Sequence, residues 1–136
     1  LKPNAREALL ATGHQPRQEL EQAEVEAAGA ALFQRTGRSV FVTIGADGLL
    51  VFTQGGMQHV PGVPVSGPLD IVGAGDSVMA GIVSSLCAGA EPAEAALVGN
   101  LVASITVQQI GTTGSASRQQ VLERFGEASQ LRGGSA

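Results

Sequence analysis

The stretch DIVGAGDS, residues 70–77, does most to decide what this chain can be. Its Gly-Ala-Gly centre predicts a tight loop with accessible backbone N–H groups, and the apolar run that starts at Val78 predicts a helix directly after it. Unpaired N–H groups and the positive end of a helix dipole favour anion binding at such a helix start. Asp76 lies there, where its carboxylate can either cap the helix or accept a proton from a substrate hydroxyl. The segment alone leaves both interpretations open.

The lysine content limits the phosphate chemistry that this loop can support. Lys2 is the only lysine in the sequence. A Walker-type loop with its lysine and a protein-kinase strand lysine are therefore both excluded. If the chain handles phosphate, backbone N–H groups and a divalent metal must neutralise the phosphate charge.

Composition excludes several classes of protein. The 136 residues are 43% hydrophobic and 15% charged, with a formal net charge of −4, which suits one globular domain and argues against disorder. A nucleic-acid partner is not expected, because the charge is acidic and no basic block is present. The longest uncharged run, residues 95–117, contains Asn, Gln and Gly, so no membrane span is expected either.

The single cysteine, Cys87, excludes an internal disulfide framework and a cysteine-rich zinc site. Its neighbours are apolar, so we expect it to be a small buried residue rather than a nucleophile. This cysteine usage predicts a reducing, cytoplasmic setting.

The pattern of apolar residues predicts an α/β layered architecture. We expect a strand end and a short helix over residues 1–10, then a helix over 16–35 whose apolar face includes Leu20, Ala23, Ala27, Ala31 and Phe33. Strands are expected over 40–44, 49–52 and 57–60, with Asp47-Gly48 as the turn between the first two. Further helices are expected over 75–87, 92–108 and 117–131.

Four segments, in the same order, resemble the ribokinase (PfkB) family of carbohydrate kinases. Gly73-Ala74-Gly75-Asp76, with Asp70 before it and Ala80-Gly81 after it, is similar to the family's C-terminal signature. Residues 4–7 (NARE) resemble its Asn-x-x-Glu motif, and residues 43–48 (TIGADG) resemble its Thr-x-Gly-x-x-Gly nucleotide loop. Asn100 and the helix that ends near Gly111-Thr112 resemble the helix closing the adenine pocket. Within the family, the start LKPN and the Gly111-Thr112 ending are most similar to the kinase domain of ADP-heptose synthesis enzymes.

The resemblance implies a fold and an activity. Residues 1–132 would be the C-terminal, nucleotide-binding portion of a ribokinase-like three-layer α/β/α sandwich, and residues 133–136 a flexible tail. The implied activity is phosphorylation of a hydroxyl of a sugar or sugar phosphate, with ATP, Mg²⁺ and in many members K⁺ as cofactors.

The resemblance also implies roles for individual residues. Asp76 would be the general base, and the anion hole for the developing phosphoryl charge would be Gly73, Ala74 and Gly75. The nucleotide would contact Thr43, Gly45, Gly48, Gly75 and Asn100. Asn4 and Glu7 would organise Mg²⁺ through its waters. The monovalent cation would lie among the Asp70 carboxylate and the carbonyls of Val72, Thr106, Gln109 and Gly111.

Two features depart from the family pattern. Family members usually carry Thr in the lead-in where this chain has Ile71 and Val72, which weakens the case for the monovalent-cation site. The chain also begins with LKPN and without Met, like the end of a strand, so we expect it to be the C-terminal part of a longer protein. The N-terminal half, which carries most sugar contacts in the family, is not in the sequence. We therefore expect the chain alone to be inactive, and to pack with that half or form a homodimer.

Each motif also has a simpler interpretation. Asn4 and Glu7 can be a helix cap with its partner at the third position, and Asp47 can be a turn former. His14 and His59 are expected to be surface or loop residues without a metal or catalytic role. The acidic cluster at residues 19–26 is expected to be a solvated helix face. The alternative function is a non-catalytic nucleotide-binding or structural half-domain that needs a partner chain.

Overall fold

The computed structural model describes residues 1–133, which form two compact units, Leu1–Pro61 and the chain from Gly62 onward. The elements of the first unit are α1 (Ala5–Ala11), α2 (Gln22–Thr36), β1 (Val40–Thr43), a 3-10 turn (Gly45–Asp47), β2 (Gly48–Thr53) and β3 (Gly56–Pro61). Those of the second are α3 (Ala74–Cys87), α4 (Pro92–Thr106) and α5 (Arg118–Gly133). The predicted tail starts at Gly133, which is the last residue of α5, and residues 134–136 lie outside the described part.

The sheet of the first unit is an antiparallel meander in the order β1-β2-β3. Val40 lies opposite Phe52, and Leu50 lies opposite His59. The N-terminal residues run parallel to β1: the N–H of Phe41 donates to the carbonyl of Leu1 at 2.8 Å, and Asn4 forms a bridge with Thr43. The predicted strand end before a short helix is therefore confirmed.

The core of the first unit lies between this sheet and helices α1 and α2. Its buried members are Ala8, Leu9, Val25, Ala28, Leu32, Val40, Val42, Leu50 and Phe52. Side chains along β1 and β2 point alternately to the two faces of the sheet, so every second side chain lies on the face that packs against the helices. This packing orients α1, whose N-cap and first turn are the predicted Asn-x-x-Glu motif at residues 4–7.

Helix α2 differs from the prediction in its start and in its buried face. It begins at Gln22 and not near Pro16, because the extended backbone of Glu21 (ψ 132°) interrupts any helix from Pro16. The buried residues are Val25, Ala28, Gly29 and Leu32, whereas Ala23 and Ala27, which the sequence placed on the apolar face, are exposed. The Phe52 ring lies directly against Gly29, where a Cβ atom would overlap it, and this ring selects the face.

The core of the second unit is the contact between α3 and α4. A Cβ atom on Gly81 would lie 2.9 Å from the Cα atom of Gly99, which is too close for a side chain. The two helix backbones can therefore make this contact only because position 81 is glycine. Pro92 occupies the first turn of α4 as predicted, and Glu91 caps that helix. The helix ends at Thr106, two residues before the predicted end.

Cys87 is exposed, so the expectation of a buried cysteine is wrong. It is the last residue of α3, and the face of α3 that packs on α4 carries Val78, Gly81 and Ile82. Cys87 does not lie on this packed face. Its apolar neighbours in the sequence do not show which face of the helix it occupies. None of the described helices has the length and apolarity needed to cross a bilayer.

Candidate functional site

The N-terminus of α3 has the geometry that the Gly-Ala-Gly segment predicts. Gly73 is the N-cap residue in the left-handed conformation (φ 80°), which glycine adopts without steric cost. The N–H of Ala74 donates to the carbonyl of Ile71 at 3.1 Å, so this member of the predicted anion hole is already engaged. Within the described part of the chain, the N–H groups of Gly73, Gly75 and Asp76 make no hydrogen bond. Three free donors at the positive end of a helix favour an anion.

Asp76 is the third residue of α3, and its carboxylate is exposed. The helix is capped at Gly73, and no side chain makes a cap hydrogen bond there. The capping interpretation of Asp76 is therefore wrong. An exposed carboxylate beside free N–H groups can accept a proton from a bound hydroxyl, and this role stays a prediction.

Asp70 joins the segment before α3 to the segment after α4. Its Oδ1 atom accepts a hydrogen bond from the N–H of Val72 at 3.0 Å, and Oδ2 accepts one from the N–H of Gly111 at 3.1 Å. The N–H of Asp70 donates to the carbonyl of Val107 at 2.7 Å. The bonds from Val72 and then Gly111 hold the pKa of Asp70 below its ordinary value, because they stabilise the charged form.

The other residues predicted to hold a monovalent cation lie in the turn after α4. The carbonyl of Thr106 accepts a hydrogen bond from the N–H of Gln109 at 3.0 Å. The Gln109 side chain bonds the backbone of Ser115 twice, at 2.7 and 2.9 Å, and so closes the loop between them. The structure thus joins Asp70 to Val72 and Gly111, and Thr106 to Gln109. Among residues 1–133, no group of three His, Cys, Asp or Glu side chains could hold a metal ion.

Asn100, predicted beside the adenine, lies in the middle of α4 and is only 7% exposed. A buried side-chain amide needs hydrogen-bond partners. Its contact with a nucleotide stays a prediction.

Asn4 and Glu7 form a reciprocal cap at the start of α1. Asn4 Oδ1 accepts from the N–H of Glu7 at 2.9 Å, and Glu7 Oε2 accepts from the N–H of Asn4 at 2.8 Å. The helix-cap interpretation of this pair is therefore confirmed. Glu7 is exposed, so its second oxygen faces solvent, and a role near Mg²⁺ stays a prediction.

The segment predicted as a nucleotide loop is a glycine-bounded turn. Gly45 (φ 67°) and Gly48 (φ 99°) flank it in backbone conformations that favour glycine. The N–H of Ile44 donates to the carbonyl of Gly48 at 2.9 Å, which closes the turn before β2. The turn predicted at Asp47-Gly48 is confirmed, and it includes a short 3-10 segment.

A cleft of about 810 Å³ in the first unit brings several of the predicted residues together. Asn4, Thr43 and Gly45 line it, whereas Glu7 and Gly48 are not among its lining residues. Sequence reasoning missed four polar members of this cleft, Arg6, Gln22, Asp47 and His59. His59 is exposed as predicted, but its position in the cleft follows from the register of β3, which no local pattern reveals.

Comparison with known proteins gives the family. Residues 1–119 match the model of the pfkB family carbohydrate kinases. The bifunctional protein HldE of Desulfatibacillum aliphaticivorans is 34% identical over 113 residues, which are 82% of this chain and 22% of that protein. The 1-phosphofructokinase of Haloferax volcanii is 36% identical over 111 residues, 82% of this chain and 35% of that protein.

Solved structures agree with this match. The structure of Arabidopsis thaliana ribokinase complexed with ribose and ATP is similar at a TM-score of 0.79 and 27% identity, covering 91% of this chain and 39% of that one. The chain therefore spans less than a quarter of HldE and about two fifths of ribokinase. It adopts part of the ribokinase-like α/β fold, and it belongs to the pfkB family of carbohydrate kinases.

Proposed function

We propose that this chain supplies the nucleotide-binding and catalytic-base part of an ATP-dependent kinase that phosphorylates a hydroxyl of a sugar or sugar phosphate. Family membership supports the reaction class. Two similar proteins support the two substrate classes, since one is a 1-phosphofructokinase and the other is a ribokinase complexed with ribose and ATP.

The observation that carries the proposal is the position of Asp76. Its carboxylate is exposed in the first turn of α3 and is not consumed by capping. In the proposed reaction, the carboxylate accepts the proton of the sugar hydroxyl as that oxygen attacks the γ-phosphorus of ATP, the bond from the γ-phosphorus to the β,γ-bridging oxygen breaks, and ADP leaves. A general base in this position contributes about 10²–10⁴-fold in rate.

The free N–H groups of Gly73 and Gly75 would stabilise the negative charge that develops on the transferred phosphoryl group. The N–H of Ala74 donates within the turn and shapes the loop rather than contacting phosphate. The proposed anion hole therefore consists of Gly73, Gly75 and the N–H of Asp76, with Ala74 in support.

The residues of the first unit suit a nucleotide polyphosphate with its metal ion. Thr43 and Gly45 line the cleft with Asn4, and the glycine conformations at Gly45 and Gly48 let the backbone approach phosphate closely. Glu7 presents one carboxylate oxygen to solvent, and a hard oxygen ligand of this kind suits Mg²⁺ through its waters. Bound Mg²⁺ would neutralise phosphate charge that lysine cannot neutralise in this chain. Asn100, in α4 of the second unit, is proposed separately as a nucleotide contact.

The Asp70 linkage suits a monovalent cation less well than the family pattern implies. Both carboxylate oxygens of Asp70 already accept backbone hydrogen bonds, from Val72 and Gly111. We propose that any K⁺ at this place is held mainly by the carbonyls of Val72, Thr106, Gln109 and Gly111, and that it contributes little to activity.

Exposed apolar side chains on α3 support the proposal that this chain packs against more protein. Met79, Val83 and Leu86 are 39%, 48% and 38% exposed and lie away from α4. Exposed large apolar side chains spaced three and four residues apart on one helix favour an interaction surface. We propose that a further sugar-binding part, or a second copy, covers it. The same observation supports the second candidate, a half-domain that binds nucleotide without turnover.

Release of ADP by the intact protein, measured against a panel of sugars and sugar phosphates with Mg²⁺ and ATP, separates the two candidates. The kinase proposal predicts ADP release with at least one of these substrates above the rate with ATP alone. The half-domain predicts no increase with any of them.

A further inference from the structure

His59 reaches from β3 to the loop that precedes β2. Its Nε2 atom lies 2.8 Å from the carbonyl oxygen of Asp47, twelve residues earlier in the chain. A carbonyl oxygen only accepts hydrogen bonds, so Nε2 carries the proton and donates it. The side chain of a strand residue therefore fixes the backbone of the loop at Asp47.

The contacted loop has unusual backbone freedom. Gly45 and Gly48 adopt left-handed φ angles of 67° and 99° on either side of Asp47. Glycine loses more conformational freedom on ordering than any other residue, so a loop bounded by two glycines is costly to hold in one shape. A hydrogen bond from outside the loop lowers the number of conformations that Asp47 can visit.

His59 and the loop share one cleft. His59, Asp47, Thr43 and Gly45 all line the space of about 810 Å³ in the first unit. β3 is an outer strand in the order β1-β2-β3, and His59 is exposed on it, so the residue is not needed to fill the core. Its described contact is with the loop backbone beside two of the proposed nucleotide residues.

We propose that His59 is a positioning residue for the nucleotide, which holds the Asp47 carbonyl and thereby presents the backbone of residues 43–48 to the phosphates of ATP. The inference rests on the proposed function. It assigns to His59 an effect on ATP affinity and none on proton transfer at Asp76.

Four versions of the intact protein test the inference: wild type, His59→Ala, His59→Gln and Gln58→Ala. The amide of Gln retains a side-chain N–H donor, whereas Ala has none. Gln58 is the exposed neighbour on β3 and, by strand alternation, points to the other face of the sheet. One hydrogen bond is worth roughly three- to tenfold in an equilibrium constant. We therefore expect His59→Ala to raise KM for ATP about three- to tenfold with kcat nearly unchanged, His59→Gln to restore most of the affinity, and Gln58→Ala to behave as wild type.

An unchanged KM for ATP in His59→Ala, or a fall in kcat that His59→Gln does not repair, would overturn the inference and leave the proposed function standing. Wild-type protein that releases no ADP with any sugar would overturn both. Amide hydrogen exchange at Ile44 and Gly48 gives an independent readout without substrate. Faster exchange in His59→Ala but not in Gln58→Ala supports the inference, and equal exchange in all versions contradicts it.

Discussion

The carboxylate of Asp70 accepts a hydrogen bond from the backbone N–H of Gly111 at 3.1 Å, although 41 residues separate the two in sequence. The other carboxylate oxygen accepts the N–H of Val72. One side chain thus ties the segment that leads into the proposed anion hole to the turn that follows α4.

We expect Asp70 to make the free energy of unfolding depend on pH under acidic conditions. The hydrogen bonds from Val72 and Gly111 lower the pKa of Asp70 in the folded chain, so the unfolded chain binds the proton at higher pH. The stabilisation is therefore complete above roughly pH 4 and is lost as pH falls through the folded pKa. We expect Asp70→Asn to lower the melting temperature at neutral pH, with a difference from wild type that shrinks as the pH falls below roughly 4 and through the lowered pKa of Asp70.

Asp47→Asn is the matched control for this titration, because the described contacts of Asp47 involve its carbonyl and not its carboxylate. It should melt as wild type does at each pH. A difference between wild type and Asp70→Asn that stays constant with pH would contradict the assigned role of the carboxylate.

Activity of the intact protein should depend little on K⁺. Ile71 and Val72 offer no hydroxyl to a cation, and both oxygens of Asp70 are engaged by backbone N–H groups. We expect similar turnover in K⁺ and in a larger organic cation at equal ionic strength. Strong K⁺ activation that disappears in Asp70→Ala would contradict this expectation and show that the Asp70 carboxylate holds an activating cation despite its two backbone hydrogen bonds.

Gly81 lies where α3 packs closely on α4, and we expect any side chain added at this position to destabilise the fold. A Cβ atom there would meet Gly99 backbone at 2.9 and 3.1 Å, so Gly81→Ala must push the helices apart. Overpacking of this kind costs about 1–3 kcal/mol in the free energy of unfolding. Gly126→Ala in α5 meets nothing within 4 Å and should be neutral or stabilising by up to about 1 kcal/mol. Chemical denaturation measures both, and equal stabilities would refute the close approach.

The 136-residue chain should bind Mg-ATP weakly, because it contains the proposed loop and Asn100 but covers only 39% of the similar ribokinase complexed with ribose and ATP. We expect heat and thermal stabilisation at millimolar ATP in calorimetry. Gly45→Ala should abolish them, since φ is 67° at that position and a side chain strains it. Gly55→Ala, in the next turn and without a left-handed φ, is the control. No response of the wild-type chain to ATP would mean that the site is not preformed.

Local signals in the sequence predicted the parts of the fold that depend on local chemistry. The Gly-Ala-Gly loop before an apolar run and Pro92 after an acidic residue predicted the starts of α3 and α4 to within one residue, because glycine permits the left-handed cap conformation and proline fixes φ at a value that suits a first helical turn. The turn at Asp47-Gly48 was predictable for the same reason. The sequence did not predict that Asp76 is the third residue of α3, because the start of a helix can shift by one or two residues without any change in composition.

Packing and long-range hydrogen bonds decided the rest. Helix α2 is rich in alanine, so two different faces of the helix have the spacing of an apolar face. The face that includes Val25 and Leu32 is buried, because the Phe52 ring packs against Gly29. The bonds of Asp70 to Gly111 and of His59 to Asp47 span 41 and 12 residues. No periodicity encodes such contacts.

The most direct test of the catalytic account is turnover of Asp76→Asn in the intact protein, with Glu123→Gln on the surface of α5 as the control. Asn keeps the size of Asp but cannot accept a proton at neutral pH, and no cap hydrogen bond is lost, since α3 is capped at Gly73. We expect kcat to fall at least about a hundredfold, while KM for ATP and the melting temperature stay nearly unchanged. Turnover near the wild-type value would contradict the assignment of Asp76 as general base, and with it the central argument for a sugar kinase.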